Sequence, residues 1–83
     1  MYYVYALYNK KNLKIYVGQT KDLQERITLH NSKVFKDSYT AGFDGKWKLI
    51  YTEKVSSKQD ALKREKQLKS HRGRDFIKQN IPR

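Results

Sequence analysis

Five side chains have the types that phosphodiester cleavage uses: Tyr5, Tyr16, Arg26, His30 and Glu65. The tyrosines belong to two short triplets, Tyr3-Val4-Tyr5 and Tyr16-Val17-Gly18, which are separated by ten residues. A carboxylate binds divalent cations, a guanidinium stabilises charge on phosphoryl oxygens, and an imidazole or phenol transfers protons. The set predicts a site for phosphate chemistry if the fold brings its members together.

Aromatic and β-branched runs predict the three strands that would carry the tyrosines. Residues 2–8 are typical of a buried strand, and residues 9–12 have the composition of a hairpin turn. Residues 13–19 return as the second strand, and residues 47–55 form the third. Residues 31–46 are polar and contain two glycines, so we expect a loop there.

Capping and breaking residues predict the helices that would carry the charged groups. The first helix covers residues 22 to about 30, with Glu25 as a capping-box partner. The second begins at residue 56 or 57, extends to about residue 70 and is broken by Gly73. A short third helix covers residues 75–80.

The element order β-β-α-β-α-(α) predicts an α+β fold with a small three-stranded antiparallel or mixed sheet flanked by helices. At this length, residues 1–83 are expected to form a single domain with a thin core. The chain has no cysteine, which excludes disulfides and thiolate zinc sites and favours a reducing compartment. It also has no membrane-spanning apolar run, so we expect a cytoplasmic protein, monomeric by default.

Glu65 interrupts the apolar face of the second predicted helix. The apolar positions of that face are Ala61, Leu62 and Leu68. A carboxylate among them points at the margin of the core, where burying it unpaired is costly. Spacing leaves two interpretations open: Glu65 pairs with a cation such as Arg64 or Lys69, or it stands in a cleft and binds a metal.

Arg26 and His30 are four residues apart, so they are adjacent on the first predicted helix, beside the apolar pair Leu23 and Ile27. One interpretation is a surface pair, or a histidine whose hydrogen bonds are satisfied within the fold. The other interpretation is catalytic. Arg26 would stabilise charge on a phosphoryl oxygen, and His30 would assist or orient a proton transfer.

Tyr16 is the tyrosine that strand periodicity distinguishes. Side chains alternate along a strand, so Tyr16 shares a face with Lys14 and Gly18, opposite Ile15 and Val17. Gly18 leaves room for close approach of a backbone or a substrate. Packing explains most tyrosines in so small a protein, but Tyr16 is predicted on the polar side of its strand.

The chain is strongly basic, with 19 Lys and Arg against 8 Asp and Glu and a formal net charge of +11. Such an excess favours a polyanion as partner, nucleic acid before an anionic membrane. Residues 54–83 carry ten basic and three acidic residues, which indicates either a solvated helix face or a phosphate-binding surface. The candidate phosphate-binding side chains are Lys14, Lys63, Arg64, Lys69, Arg72 and Arg74.

These segments together resemble the GIY-YIG nuclease superfamily, in particular its small single-domain YhbQ-like bacterial branch. Tyr3-Val4-Tyr5 corresponds to the first signature triplet, with Tyr3 in place of glycine, and Tyr16-Val17-Gly18 corresponds to the second. Residues 19–31 resemble the first helix of the family, and residues 61–70 resemble its glutamate helix.

The resemblance implies a three-stranded antiparallel sheet flanked by helices and divalent-metal-dependent cleavage of DNA phosphodiesters. It assigns one Mg2+ or Mn2+ ion to Glu65 and stabilisation of the phosphate to Arg26. Tyr16 would activate or place the nucleophile, with Tyr5 and His30 in support.

Two functions from different classes follow. The first is a metal-dependent DNA endonuclease that acts in repair or recombination and selects DNA by structure more than by sequence. The resemblance also implies that Asn80 supports the site, because many family members keep an asparagine there. The alternative is a catalytically weak or inactive nucleic-acid-binding module, with Trp47, Tyr51 and Phe76 stacking on bases, although strand alternation favours core packing for the first two. A third class, a protein-interaction domain, leaves Glu65 unexplained.

Overall fold

A computed structural model of the protein describes residues 1–32 and 45–81. Within them the order is β-β-α-β-α-α, which confirms the α+β prediction. The elements are β1 (Tyr2–Asn9), β2 (Lys14–Thr20), α1 (Leu23–Ser32), β3 (Lys48–Val55), α2 (Lys58–Lys69) and α3 (His71–Lys78). Helix α1 runs two residues into the expected loop at 31–46, of which residues 33–44 lie outside the described residues.

The three strands form one antiparallel sheet in the order β2-β1-β3, so the antiparallel prediction is confirmed. The aromatic and β-branched run of β1 lies in the middle, where its side chains are packed on both faces. The β1–β3 register shifts between Ala6 and Leu7, which pair with Tyr51 and Leu49, so Ile50 forms a bulge. The bulge changes the face on which the following residues of β3 lie.

Helices cover both faces of the sheet. One face contacts α2 and α3 through the buried residues Val4, Ala6, Val17, Ala61, Leu68 and Ile77. The other contacts α1 through buried Tyr5, Leu7 and Trp47 and the partly buried Leu23 and Ile27. Because side chains alternate along β1, the odd-numbered residues face α1 and the even-numbered residues face α2.

The predicted starts of the first two helices are confirmed by their caps. Asp22 Oδ1 accepts a hydrogen bond from the Glu25 N–H at 3.0 Å, immediately before α1. Ser57 caps α2, its Oγ accepting from the Asp60 N–H at 3.1 Å. Within the described ranges, no helix has the length and apolar character needed to cross a membrane.

The prediction that Gly73 breaks the second helix is wrong. Helix α2 ends at Lys69, and Ser70 both ends α2 and caps α3, accepting from the Gly73 N–H at 3.2 Å. Gly73 lies in the first turn of α3, where a Cβ would stand 2.3 Å from the Gln67 carbonyl oxygen. The third helix therefore begins four residues earlier than predicted, at His71, and ends before Asn80.

Leu62 does not lie on the buried face of α2, contrary to prediction. Its side chain is 46% exposed, whereas Ala61 and Leu68 are 0% and 1% exposed. Consecutive helical residues differ by about 100° in direction, so Leu62 is turned away from the stripe that Ala61, Glu65 and Leu68 share.

Candidate active site

Tyr5, Tyr16 and His30 form a compact cluster between the sheet and α1. The Tyr5 hydroxyl and His30 Nε2 are hydrogen bonded at 3.0 Å, and the histidine tautomer decides which one donates. The ring centroid of Tyr16 lies 4.9 Å from that of His30 and 6.2 Å from that of Tyr5. Strands β1 and β2 and helix α1 thus place three of the candidate residues in contact.

Gly18 provides the room for this cluster. It pairs with Tyr5 in the β1–β2 register. A Cβ at Gly18 would stand 2.8 Å from the Tyr5 hydroxyl oxygen and 3.0 Å from Cε2 of Tyr16. The space predicted for a backbone or substrate is therefore filled by the phenol of Tyr5.

Burial and charged neighbours shift the pKa values of Tyr5 and His30. Burial is the largest cause that raises the pKa of Tyr5; Tyr16 and Glu65 also raise it, and the Arg26 charge opposes them. Burial, followed by the Arg26 charge, lowers the pKa of His30. At neutral pH the Tyr5 phenol is therefore protonated and the His30 imidazole is uncharged.

Glu65 lies on α2 and acts on the cluster through its charge. Its negative charge acts on Tyr5, as does the positive charge of Arg26, so both lie within electrostatic reach of the same phenol. Its Oε2 accepts a hydrogen bond from Lys69 Nζ at 3.1 Å, and its side chain is 22% exposed. Of the two cations proposed as partners, Lys69 is the one that pairs with Glu65.

The GIY-YIG catalytic-domain family model matches residues 1–80. The chain belongs to the GIY-YIG family. A UPF0213 protein from Bacillus halodurans, whose solution NMR structure is known, is similar at 31% sequence identity with a TM-score of 0.54. That match covers 93% of this chain and 82% of the other. Comparison with curated proteins found no match.

GIY-YIG nucleases are generally dependent on divalent metals, so the side chains that could bind such an ion are of interest. In the described parts of the chain, no three His, Cys, Asp or Glu side chains are grouped so as to hold a metal ion. A preformed protein cage is therefore not built from these residues. Mg2+, however, commonly keeps several waters and binds through one or two carboxylates plus substrate phosphates. Glu65 fits that mode once Lys69 releases its carboxylate.

Arg64 is tied to the sheet of this GIY-YIG domain. Its Nε donates to both carboxylate oxygens of Glu53, at 3.0 and 3.1 Å, and its Nη1 donates to Gln67 at 3.2 Å. The hydrogen bond with Glu53 raises the pKa of Arg64. The Tyr51 hydroxyl also donates to Glu53. This arrangement anchors α2 to β3 and competes with any phosphate contact of Arg64.

The remaining basic candidates lie on the surface, outside the aromatic cluster. Their locations are the start of β2, helix α2 and the first turn of α3, and all five are exposed: Lys14, Lys63, Lys69, Arg72 and Arg74. Asn80 is exposed beyond the end of α3, and its side-chain amide donates to the Phe76 carbonyl at 3.4 Å. That hydrogen bond is local to the end of α3.

The aromatic residues considered for base stacking are mainly packing residues. Trp47 is 2% exposed, and Tyr51 packs against the cluster of α2 and α3. The expectation of core packing for both is confirmed. Phe76 is 42% exposed and contacts Tyr51 edge to face, with the ring centroids 5.4 Å apart.

Asn31 has a positioning role that sequence reasoning missed. Its Nδ2 donates to the Trp47 carbonyl at 3.0 Å, and its Oδ1 accepts from the Trp47 N–H at 2.7 Å. These bonds tie the end of α1 to the chain just before β3 and so hold the adjacent His30 in place. The sequence signal was slight: an amide directly after the candidate histidine.

Proposed function

We propose that this GIY-YIG protein is a divalent-metal-dependent endonuclease that hydrolyses DNA phosphodiesters, selects its substrate by shape and charge, and acts in repair or recombination. The observation that carries the proposal is the hydrogen-bonded cluster of Tyr5, Tyr16 and His30, with Arg26 and Glu65 acting electrostatically on Tyr5. Family membership and the formal net charge of +11 support a nucleic-acid substrate.

In this proposal Arg26 binds the scissile phosphate. A guanidinium forms short, charge-assisted hydrogen bonds with phosphoryl oxygens and stabilises the charge that develops there during attack. His30 does not compete for the same anion, because its lowered pKa leaves it uncharged at neutral pH. An uncharged imidazole can instead accept a proton.

Tyr5 and Tyr16 would divide two tasks. Tyr5 is 1% exposed and stays protonated, so it holds the ring of His30 through a fixed hydrogen bond. Tyr16 is half-buried and also lines a surface cavity, so its hydroxyl can orient a nucleophilic water. Glu65 would hold the divalent ion, which supplies Lewis-acid stabilisation of the phosphate and the leaving oxygen.

The decisive experiment is nicking of supercoiled plasmid and branched DNA by the purified protein with Mg2+ or Mn2+. Glu65→Gln and Arg26→Gln are each expected to lower the rate at least about 100-fold, the scale on which one electrostatic group contributes. Asp75→Asn is the matched control, because Asp75 is an exposed carboxylate on α3. Nicking that persists at full rate in Glu65→Gln and Arg26→Gln would contradict the proposal.

The second candidate function is a nucleic-acid-binding module without turnover. The observation that favours it is the ion pair of Glu65 with Lys69, which occupies the proposed metal-binding carboxylate. DNA binding that weakens with salt, without nicking under any metal condition, would support this module over the enzyme.

A further inference from the structure

A cavity along β2 shares Tyr16 with the cleavage cluster, but its other lining residues have no part in the proposed cleavage chemistry except through the ion pair of Lys69 with Glu65. Its volume is about 270 Å³, and its lining residues are Ile15, Tyr16, Val17, Lys69 and Arg74. Consecutive side chains along a strand point to opposite faces of the sheet. A cavity lined by three consecutive residues therefore lies along the edge of the sheet and not on one face. Strand β2 is at the edge of the described sheet and packs against α2.

The charges of this cavity, which we call the β2-edge cavity, suit an anion. Lys69 pairs with Glu65, whereas within residues 1–32 and 45–81 no carboxylate forms an ion pair with Arg74. An uncompensated guanidinium therefore lies at the cavity wall. Planar guanidinium groups bind phosphate oxygens through two parallel hydrogen bonds.

The size and the apolar residues of the β2-edge cavity limit the ligand. Pockets for drug-sized molecules measure about 300–1,000 Å³. At about 270 Å³ the cavity lies just below that range, which limits the ligand to about the size of a single nucleotide unit. Ile15 and Val17 offer apolar contact for a sugar, while Arg74 and Lys69 offer positive charges for a phosphate.

We propose that the β2-edge cavity is a subsite for the nucleotide next to the scissile phosphate. The inference rests on the proposed function, since Tyr16 belongs both to the cavity wall and to the cleavage cluster. Arg74 and Lys69 bind the phosphate of that nucleotide. Lys69 leaves Glu65 when it does so, and the carboxylate becomes available to the divalent ion.

The subsite is tested by binding without divalent metal, so that cleavage does not interfere. A 5′-phosphorylated thymidine tetranucleotide is titrated into the protein and followed by amide NMR shifts. Shifts are expected at residues 15–17 and 69–74. Arg74→Gln should weaken binding about tenfold, the loss expected for one charge-assisted contact. Lys78→Gln, the same charge change on an exposed residue of α3 outside the cavity, should weaken it less than about twofold.

Equal weakening by Arg74→Gln and Lys78→Gln would overturn the subsite, because diffuse charge would then explain binding. In a second titration, inorganic phosphate alone replaces the tetranucleotide. If it fills the cavity as tightly as the tetranucleotide, the cavity is a free-phosphate site and the nucleotide subsite is overturned.

The subsite and the endonuclease can fail separately. If the tetranucleotide occupies the cavity but no DNA is nicked, the subsite stands and the endonuclease is wrong. If nicking proceeds in Arg74→Gln with unchanged KM and kcat, the endonuclease stands and the subsite is wrong.

Discussion

Tyr5 belongs both to the hydrophobic core and to the candidate site. Its ring packs with Leu7 and Trp47, while its hydroxyl bonds to His30. Burial raises the pKa of Tyr5, so the phenol is protonated at physiological pH. In the proposed mechanism it therefore acts through position and hydrogen bonding, and the other members of the cluster would accept the proton.

Gly18→Ala is expected to destabilise the fold and the site together. The added Cβ would stand 2.8 Å from the Tyr5 hydroxyl oxygen and 2.9 Å from its Cζ, and a buried ring has little room to move. We expect a loss of about 1–3 kcal/mol in the free energy of unfolding, measured by urea denaturation, with reduced nicking.

Combining Gly18→Ala with Tyr5→Phe tests whether the Tyr5 hydroxyl is the group that the added Cβ displaces. Removing the hydroxyl relieves the closest contact, so the double variant should lose less stability than the sum of the single variants. Simple additivity would show that Gly18 is not needed for the packing of Tyr5.

His30 should make stability fall in mild acid. Burial and the Arg26 charge lower its pKa below 6.5, and Tyr5 and Tyr16 face it from the sheet. The unfolded chain therefore takes up the proton at higher pH than the folded protein does. This contribution to stability is complete above about pH 6.5, the pKa of an unperturbed histidine. It declines as the pH falls toward the lower pKa that His30 has in the folded protein.

Urea midpoints at about pH 7.5 and about pH 5.5 measure this dependence. His30→Gln should remove much of the difference between the two midpoints. His71→Gln is the matched control, because the His71 side chain is 94% exposed. An unchanged difference in His30→Gln would contradict the assignment.

At the scale of elements, the close approach of α2 and α3 decides how the basic end of the chain is presented. The two helices share Ser70 as a cap and pack through Gly73, whose position admits no side chain. This packing fixes Arg74 beside the edge of β2.

Gly73→Ala tests that packing. Its Cβ would stand 2.3 Å from the Gln67 carbonyl oxygen and 2.4 Å from Cα of Leu68, and backbone atoms cannot move aside as a flexible side chain can. We expect a loss of about 3 kcal/mol in the free energy of unfolding, or failure to fold. Lys78→Ala, an exposed change on the same helix, should have an effect within about 0.5 kcal/mol. Equal stability of the two variants would contradict the close packing.

At the scale of the whole molecule, the net charge of +11 predicts that the proposed DNA binding weakens with salt, by an amount set by the number of phosphate contacts. About six phosphate contacts would lower affinity roughly 10³-fold between 50 and 200 mM salt. Arg72 is exposed, so Arg72→Gln should reduce the slope of log affinity against log salt by about one.

Arg64→Gln is the informative comparison for that slope. Arg64 is held by Glu53, so we expect its replacement to leave the slope almost unchanged and to lower stability instead. Equal slopes for Arg64→Gln and Arg72→Gln would show that DNA releases Arg64 from Glu53.

Local patterns were sufficient for the type and order of the elements and for the membership of the family, but not for the boundary between α2 and α3. Strand runs, the Asp22 and Ser57 caps and the signature triplets depend on neighbours within a few residues, so the sequence displays them directly. Contacts between elements have no such local signal. The bulge at Ile50 and the bonds from Asn31 to Trp47 join segments that are distant in the chain.

The sequence by itself determined which chemical groups are present, that the protein is basic, and on which elements the five candidate cleavage residues lie. Those properties depend on residue type and short-range spacing. Only the tertiary structure decided that Lys69, and not Arg64, pairs with Glu65, and that the space over Gly18 belongs to Tyr5. The contact over Gly18 depends on the pairing of β1 with β2. Spacing within α2 allows the i,i+4 pair of Glu65 with Lys69, and tertiary packing commits Arg64 to Glu53 of β3 instead.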